Sequence, residues 1–284
     1  MSNVIEVEKF PHPAEMYARV ASTFLKKGKG EMPDLSIHLP KASLSPAELK
    51  RYNKICGFDH TLIVPATFLH AYIFPMHMQL LSHPSVPFPL PGMIHFANSI
   101  KQYRPLFVGE TFSIRCGMGS LIAHEKGQAF EVVSVIDVNG KRIWEDSSIY
   151  LYRGKEGTGR VLEWEQPVLS ENCIKQSWTL HRNMGFEFSM ASGDFNPIHL
   201  HPITAKLFGF DRHIIHGMWS VGKILATLEK RMPESFEITG SFKTPIYLPA
   251  TVIFRHQSTD NGFDFDVVDK SQEKPHLKGY LHKL

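Results

Sequence analysis

A chain of 284 residues with 43% hydrophobic content is long enough for one large core or two smaller ones, and a formal net charge of +3 is too small for a nucleic-acid footprint. No run of about eighteen apolar residues occurs, the N-terminal MSNVIEVEKF is acidic where a secretory leader is basic, and three scattered cysteines build neither a disulfide framework nor a thiolate metal site. A soluble, cytoplasmic protein with no membrane span and no nucleic-acid partner is expected.

In chain order, residues 14–27 read as a packed terminal helix with an apolar side and a basic end. Residues 66–82 read as a helix rich in large apolar side chains, which Pro75 should bend or shorten. Strands follow. The alternating run from Phe130 to Ile136 leads into Asn139-Gly140, a two-residue hairpin signal because both residues tolerate positive φ, and the chain returns through Ile143 to Tyr152. Residues 154–177 are rich in Gly, Glu and polar residues and read as a connector. Beyond an irregular segment around residue 194, Met218, Val221, Ile224, Leu225 and Leu228 recur on one face at helical spacing. Residues 251–256 and 263–267 flank Asp260-Asn261-Gly262 as a second hairpin, and residues 276–283 supply a last strand.

The order of a helix first and antiparallel strands after it occurs twice. Arg104-Pro105-Leu106-Phe107-Val108-Gly109-Glu110-Thr111 aligns with Thr244-Pro245-Ile246-Tyr247-Leu248-Pro249-Ala250-Thr251, each opening a β-rich region. One amphipathic helix laid across an antiparallel sheet buries a face of each, so the expected class is α+β.

The irregular segment is the most informative part of the chain. In Ala191-Ser192-Gly193-Asp194-Phe195-Asn196-Pro197-Ile198-His199, the glycine, asparagine and proline interrupt any regular element, while Pro202 suits a first helical turn and Gly209 a C-terminal cap. Backbone turns, not helical periodicity, decide whether Asp194 and His199 converge.

The run Ser192 to His199, followed by Ala205-Lys206, Gly209-Phe210 and His216-Gly217-Met218, resembles the signature of the MaoC-like (R)-specific enoyl-thioester hydratases; Phe242, Pro245 and Leu248-Pro249 resemble that family's strand opening. The resemblance is close over about the last hundred residues and faint over residues 92–111. It implies a double hot-dog: an N-terminal unit (1–155) without the catalytic motif, a linker (156–177) and a C-terminal catalytic unit (178–284). The first half has only Gly57-Phe58-Asp59-His60 before its helix, and reads as a structural partner whose Phe68, Tyr72 and Phe74 serve as core or as wall for an acyl chain.

The reaction implied is reversible hydration of trans-2-enoyl thioesters to (3R)-3-hydroxyacyl thioesters, carried on coenzyme A or acyl carrier protein. A carboxylate and an imidazole sharing one water can take and give its protons near neutral pH, which assigns Asp194 and His199 as the catalytic pair. Asn196 orients the pair or the substrate, or serves only the turn. Gly217, at the start of the second helix, offers a backbone N–H to the thioester oxygen. His216 is a cap or a substrate contact. His199, His201, His213 and His216 also admit a zinc reading, but the resemblance accounts for His199 and His216 without metal, and no cofactor is required. A hot-dog thioesterase and a non-catalytic acyl-thioester-binding module are the competing functions. Two units in one chain already supply the pairing that single-unit relatives obtain by dimerising, and a further homodimer stays open.

Overall fold

The computed structural model describes residues 3–26, 28, 31–154, 156–162 and 166–284. Lys27, in the expected N-terminal helix, and residues 155 and 163–165, in the expected connector, lie outside the described residues. In chain order the first elements are β1 (Asn3–Glu6), α1 (Pro13–Ser22), β2 (Leu35–Ala42), α2 (Pro46–Cys56), β3 (Ile63–Val64), α3 (Ala66–Ser82), β4 (Ile94–Gln102), β5 (Leu106–Phe107), β6 (Phe112–Ile122), β7 (Gly127–Val138) and β8 (Lys141–Arg153). There follow β9 (Ile174–Leu180), α4 (Met184–Ser192), α5 (Pro197–Leu200), α6 (Pro202–Lys206), α7 (Gly217–Leu228), β10 (Phe236–Phe242), β11 (Ala250–Thr259), β12 (Gly262–Asp269) and β13 (Pro275–Lys283).

Two compact units interleave along the chain. The first comprises Met1–Leu44, Tyr72–Asn98 and Gly109–Trp164; the second comprises Ser45–Ala71, Ser99–Val108 and Glu165–Leu284. In the first, strands run in the order β1-β2-β6-β7-β8-β4, antiparallel in the pairs from β2 to β8 with β1 added parallel. The hairpin expected at Asn139-Gly140 joins β7 to β8 with Val138 opposite Lys141, and φ values of 50° and 72° give the paired left-handed residues of a turn that matches strand twist. The C-terminal part of α3 lies on this sheet: Tyr72 meets Phe112 of β6, and His77 bonds to Ser134 of β7 and Tyr150 of β8.

Pro75 does not end α3, which runs from Ala66 to Ser82. Burial accounts for this: Ile73, Met76, Leu80 and Leu81 are fully buried, each worth about 1.5–3 kcal/mol against about 3 kcal/mol for an interior proline.

The second unit orders its strands β10-β13-β12-β11-β9, all antiparallel. Strand β9 begins at Ile174, inside the expected connector, and pairs with β11. Helix α7 covers this sheet, with Trp219 edge-on to Trp178 of β9, which stacks on Phe254 of β11, while Val221 reaches Gly240 of β10. Helix α2, not anticipated from periodicity, is fixed by a capping box between Ser45 and Glu48 and ends at Gly57 with φ 89°. It packs on α7 because Gly222 has no side chain: a Cβ there would stand 2.8 Å from Tyr52 Oη and 3.0 Å from Cys56 Sγ. The indole N–H of Trp219 donates to the Ile55 carbonyl at 3.1 Å. Gly57-Phe58-Asp59-His60 is thus a helix end in the second unit.

Replacing Gly140 by alanine forces a Cβ into the left-handed region and is expected to cost about 1–2 kcal/mol, read as a lower urea midpoint with unchanged slope.

Candidate active site

The geometry around residue 194 starts from glycine. Helix α4 ends at Gly193, whose φ of 76° turns the chain out of the helix while its N–H donates to the Ser189 carbonyl at 2.8 Å. Asp194 follows, and its Oδ1 accepts the Asn196 N–H at 3.0 Å, an Asx turn that fixes the carboxylate against its own backbone. Asn196 then caps α5: its Oδ1 accepts from Ile198 N at 3.4 Å, with Pro197 in the first helical position. One turn of α5 delivers His199. The backbone of α4 lies directly beneath it, since a Cβ on Gly185 would fall 2.2 Å from the His199 carbonyl oxygen. Asn196 thus orients Asp194 through its N–H and serves the turn through its Oδ1.

Asp194, His199 and His216 come together, with one nitrogen of each ring and a carboxylate oxygen all within 4.8 Å of one another. His199 Nδ1 lies 2.9 Å from the Ile214 carbonyl, so it carries the proton and leaves Nε2 as the lone-pair nitrogen. The His216 ring stacks on His199, centroids 3.6 Å apart and planes 23° apart. Its Nε2–H donates to the main-chain oxygen of Asp194 at 3.0 Å and lies 3.8 Å from Asp194 Oδ2. His216 therefore holds both partners, one through the backbone and one through the ring face. Behind it stands Phe188 of α4, centroid 4.8 Å away.

Burial pushes His199 down to about 3, and the neighbouring His216 adds to that, against the opposing pull of Asp194 and of the bond to Ile214. Burial likewise pushes His216 down to about 3, opposed by its bond to Asp194. Both rings are neutral at neutral pH. The Asp194 carboxyl is raised by burial, while His199, the Asn196 N–H and His70 each favour its charge; a quarter of this side chain remains open to solvent. His70 was not singled out in the sequence. Its signal there is a polar residue within the apolar run Phe68-Leu69-His70-Ala71-Tyr72-Ile73.

Gly217 opens α7, so its N–H precedes the acceptors of its own helix. The aromatic ring of Phe242 packs where a side chain would be, 2.6 Å from a Cβ built on Gly217. The remaining histidines do not join: His201 caps α6 by accepting from Ile203 N, and His213 Nε2 donates to the Arg182 carbonyl at 2.7 Å. The set suits proton transfer through a shared water, since two hydrogen bonds of about 2.8 Å meeting at a tetrahedral angle span about 4.6 Å.

Residues 164–278 match the family model described as MaoC like domain. The chain carries a MaoC-like domain. Over 257 residues, 89% of this chain and 91% of the relative, it is 29% identical to 3-hydroxyacyl-thioester dehydratase X of Mycobacterium tuberculosis. It is 35% identical over 65 residues, 48% of the relative, to the (R)-specific enoyl-CoA hydratase of Aeromonas caviae. The crystal structure of HtdX from M. tuberculosis superposes with a TM-score of 0.77 at 27% identity, covering 88% of this chain and all of that one. The chain thus has the α+β hot-dog fold that its sequence implies.

The buried imidazoles of the MaoC-like domain link its stability to pH. Because their folded pKa values lie below the ordinary 6.5, the stability they contribute is present above pH 6.5 and is lost as pH falls toward about 3. Each ring contributes up to about 1.4 kcal/mol per pH unit in that window. Asp194, whose carboxyl is raised, acts with the opposite sign and offsets part of the loss. Thermal melts from pH 7.5 to 5 are expected to show a falling Tm, and His216→Phe, which keeps a ring between Phe188 and His199, should flatten the slope. An equal slope in the variant would locate the acid sensitivity elsewhere.

Proposed function

We propose that the protein is a hydro-lyase that adds water reversibly across the double bond of trans-2-enoyl thioesters, giving (3R)-3-hydroxyacyl thioesters in fatty-acid metabolism. The observation that carries this reading is the convergence of Asp194, whose carboxyl is raised, with a neutral His199 whose Nε2 carries no proton, in a cluster whose ligand atoms lie within 4.8 Å of one another, a spacing that admits a shared water. The names and extents of the relatives support the same chemistry, and the (3R) outcome follows the (R)-specific relative.

In the hydration direction the pair holds water over the substrate. As the water oxygen bonds to C3, its proton passes to the pair, the C2–C3 π electrons shift toward the thioester, and an enolate forms on the carbonyl oxygen. The Gly217 N–H, at the positive end of α7, donates to that oxygen, a contribution on the order of 3 kcal/mol for a well-placed donor. The pair then returns a proton to C2. Dehydration runs the steps backward, removing the α-proton and protonating the departing hydroxyl.

His216 is a positioning residue in this scheme. It fixes the Asp194 backbone and the plane of the His199 ring, and its Nε2 is committed to Asp194. The N-terminal half, which lacks the catalytic motif, serves a structural role, and the substrate is an acyl thioester.

Asp194→Asn and His199→Gln are each expected to lower kcat/KM for crotonyl-CoA and a longer trans-2-enoyl-CoA by about 10²–10⁴-fold with the cooperative fold retained. The readout is loss of the enoyl-thioester absorbance together with chiral analysis of the product. Wild-type rates in either variant would overturn the assignment. For His216→Phe the expectation is a lower kcat with little change in KM, since substrate contacts are retained.

A further inference from the structure

The helices on either side of the catalytic segment turn large apolar side chains to solvent. On α4, Met184 and Phe188 face inward, while Phe186 and Met190 are 50% and 42% exposed. On α6 and its cap, Ile203 and Leu207 are 67% and 79% exposed. Each exposed pair has i, i+4 spacing and so shares one helix face. A helix apolar on both sides belongs in an interior, and a cluster of exposed large apolar residues marks a surface that something covers.

The charges around this surface describe what covers it. Arg182 stands one turn before Phe186, Lys206 adjoins Leu207, and Arg212 lies just beyond α6 with its guanidinium over the Tyr247 ring; all three are exposed. Against these cations stand Glu187, which His181 approaches at 3.6 Å, and Asp211. A second copy of the chain meeting this face across a two-fold axis would bring two faces of net positive charge together. A coenzyme A thioester is recognised through its phosphates and a single adenine, which leaves two apolar helix faces unexplained. An acidic partner with its own apolar helix face satisfies both the charge and the exposed apolar side chains.

We propose that the α4–α6 surface docks an acidic, helical acyl carrier protein that presents the enoyl group to Asp194 and His199 on its phosphopantetheine arm. This assignment rests on the hydratase reading and specifies its carrier. The surface is continuous with the site, because α4 ends at Gly193 beside Asp194, and α5, which bears His199, packs against both α4 and α6.

The test compares trans-2-decenoyl thioesters of coenzyme A and of a purified type II acyl carrier protein, using wild type, Ile203→Asp and Leu207→Asp, with Asp194→Asn as the inactive control. Both aspartate variants replace exposed side chains outside the catalytic set. Each is expected to lower kcat/KM for the carrier-protein substrate about tenfold or more while leaving the coenzyme A substrate within about twofold. Carrier-protein turnover by wild type should also fall more steeply with added salt, as steering across this face is screened. Equal loss on both substrates, or loss on neither, would overturn the docking surface. A change in sedimentation mass in the aspartate variants would overturn it in favour of a self-association face. Wild-type activity on coenzyme A alone refutes the docking partner and leaves the hydratase reading intact, whereas inactivity on both substrates refutes the hydratase reading itself.

Discussion

The site depends on one buried hydrogen bond, from His216 Nε2 to the main-chain oxygen of Asp194. Residue 194 lies in a turn between two short helices, where no periodic ladder fixes the backbone. The bond from α7 ties that turn to the largest helix of the second unit, and the His216 ring simultaneously defines the plane of His199. An imidazole is suited to this double task because it offers one directional donor and one flat apolar face. The arrangement carries a cost: Nδ1 of His216 is buried without a partner, a deficit of about 1–3 kcal/mol. A polar group left short of partners beside the proposed catalytic pair is the pattern of a site in which stability has been traded for geometry.

Glycines set the spacing around that bond. Gly193 supplies the left-handed residue that releases Asp194 from α4, and Gly185 lets the His199 carbonyl lie against the α4 backbone. Gly222 admits Tyr52 and Cys56 against α7. Tyr52 in turn lies 5.8 Å from Phe188, which backs His216. The contacts form a series from α2 through α4 to the stacked rings, so an element far from residue 194 in sequence supports its geometry through aromatic packing.

What the sequence made legible was local. Asn139-Gly140 announced a hairpin because positive φ is a property of those residues, and α7 announced itself because its apolar positions recur every three to four residues. Asp194 and His199 were legible through an ordered motif whose glycine, asparagine and proline each have a turn to make. What stayed hidden depends on distant partners. Helix α4 is apolar on both faces and gives no periodic signal; residues 45–71 join the second unit through packing of α2 against α4 and α7, and residues 99–108 through bonds such as Ser99 to Glu237 and Gln102 to the Glu234 carbonyl. Phe68 and Tyr72, read as core or as acyl wall, have core neighbours: Phe68 meets Tyr52, and Tyr72 meets Phe10 and Phe112.

The first unit makes the second easier to interpret, because it also buries polar groups under its helix. His77 lies 3.0 Å from the Tyr150 hydroxyl through Nδ1 and 2.8 Å from Ser134 Oγ through Nε2, and Asn98, Asp146 and Ser148 bond among themselves nearby. A buried imidazole with both nitrogens committed is a strut: it joins α3 to two strands, and no lone pair remains with which to accept a proton. His199 is equally buried but commits only Nδ1, and it clusters with Asp194, whose carboxylate still meets solvent. Burial and polarity are common to both clusters, so neither distinguishes structure from chemistry. The distinction is one uncommitted nitrogen beside Asp194, and that is why the proposed reaction belongs to the second unit alone.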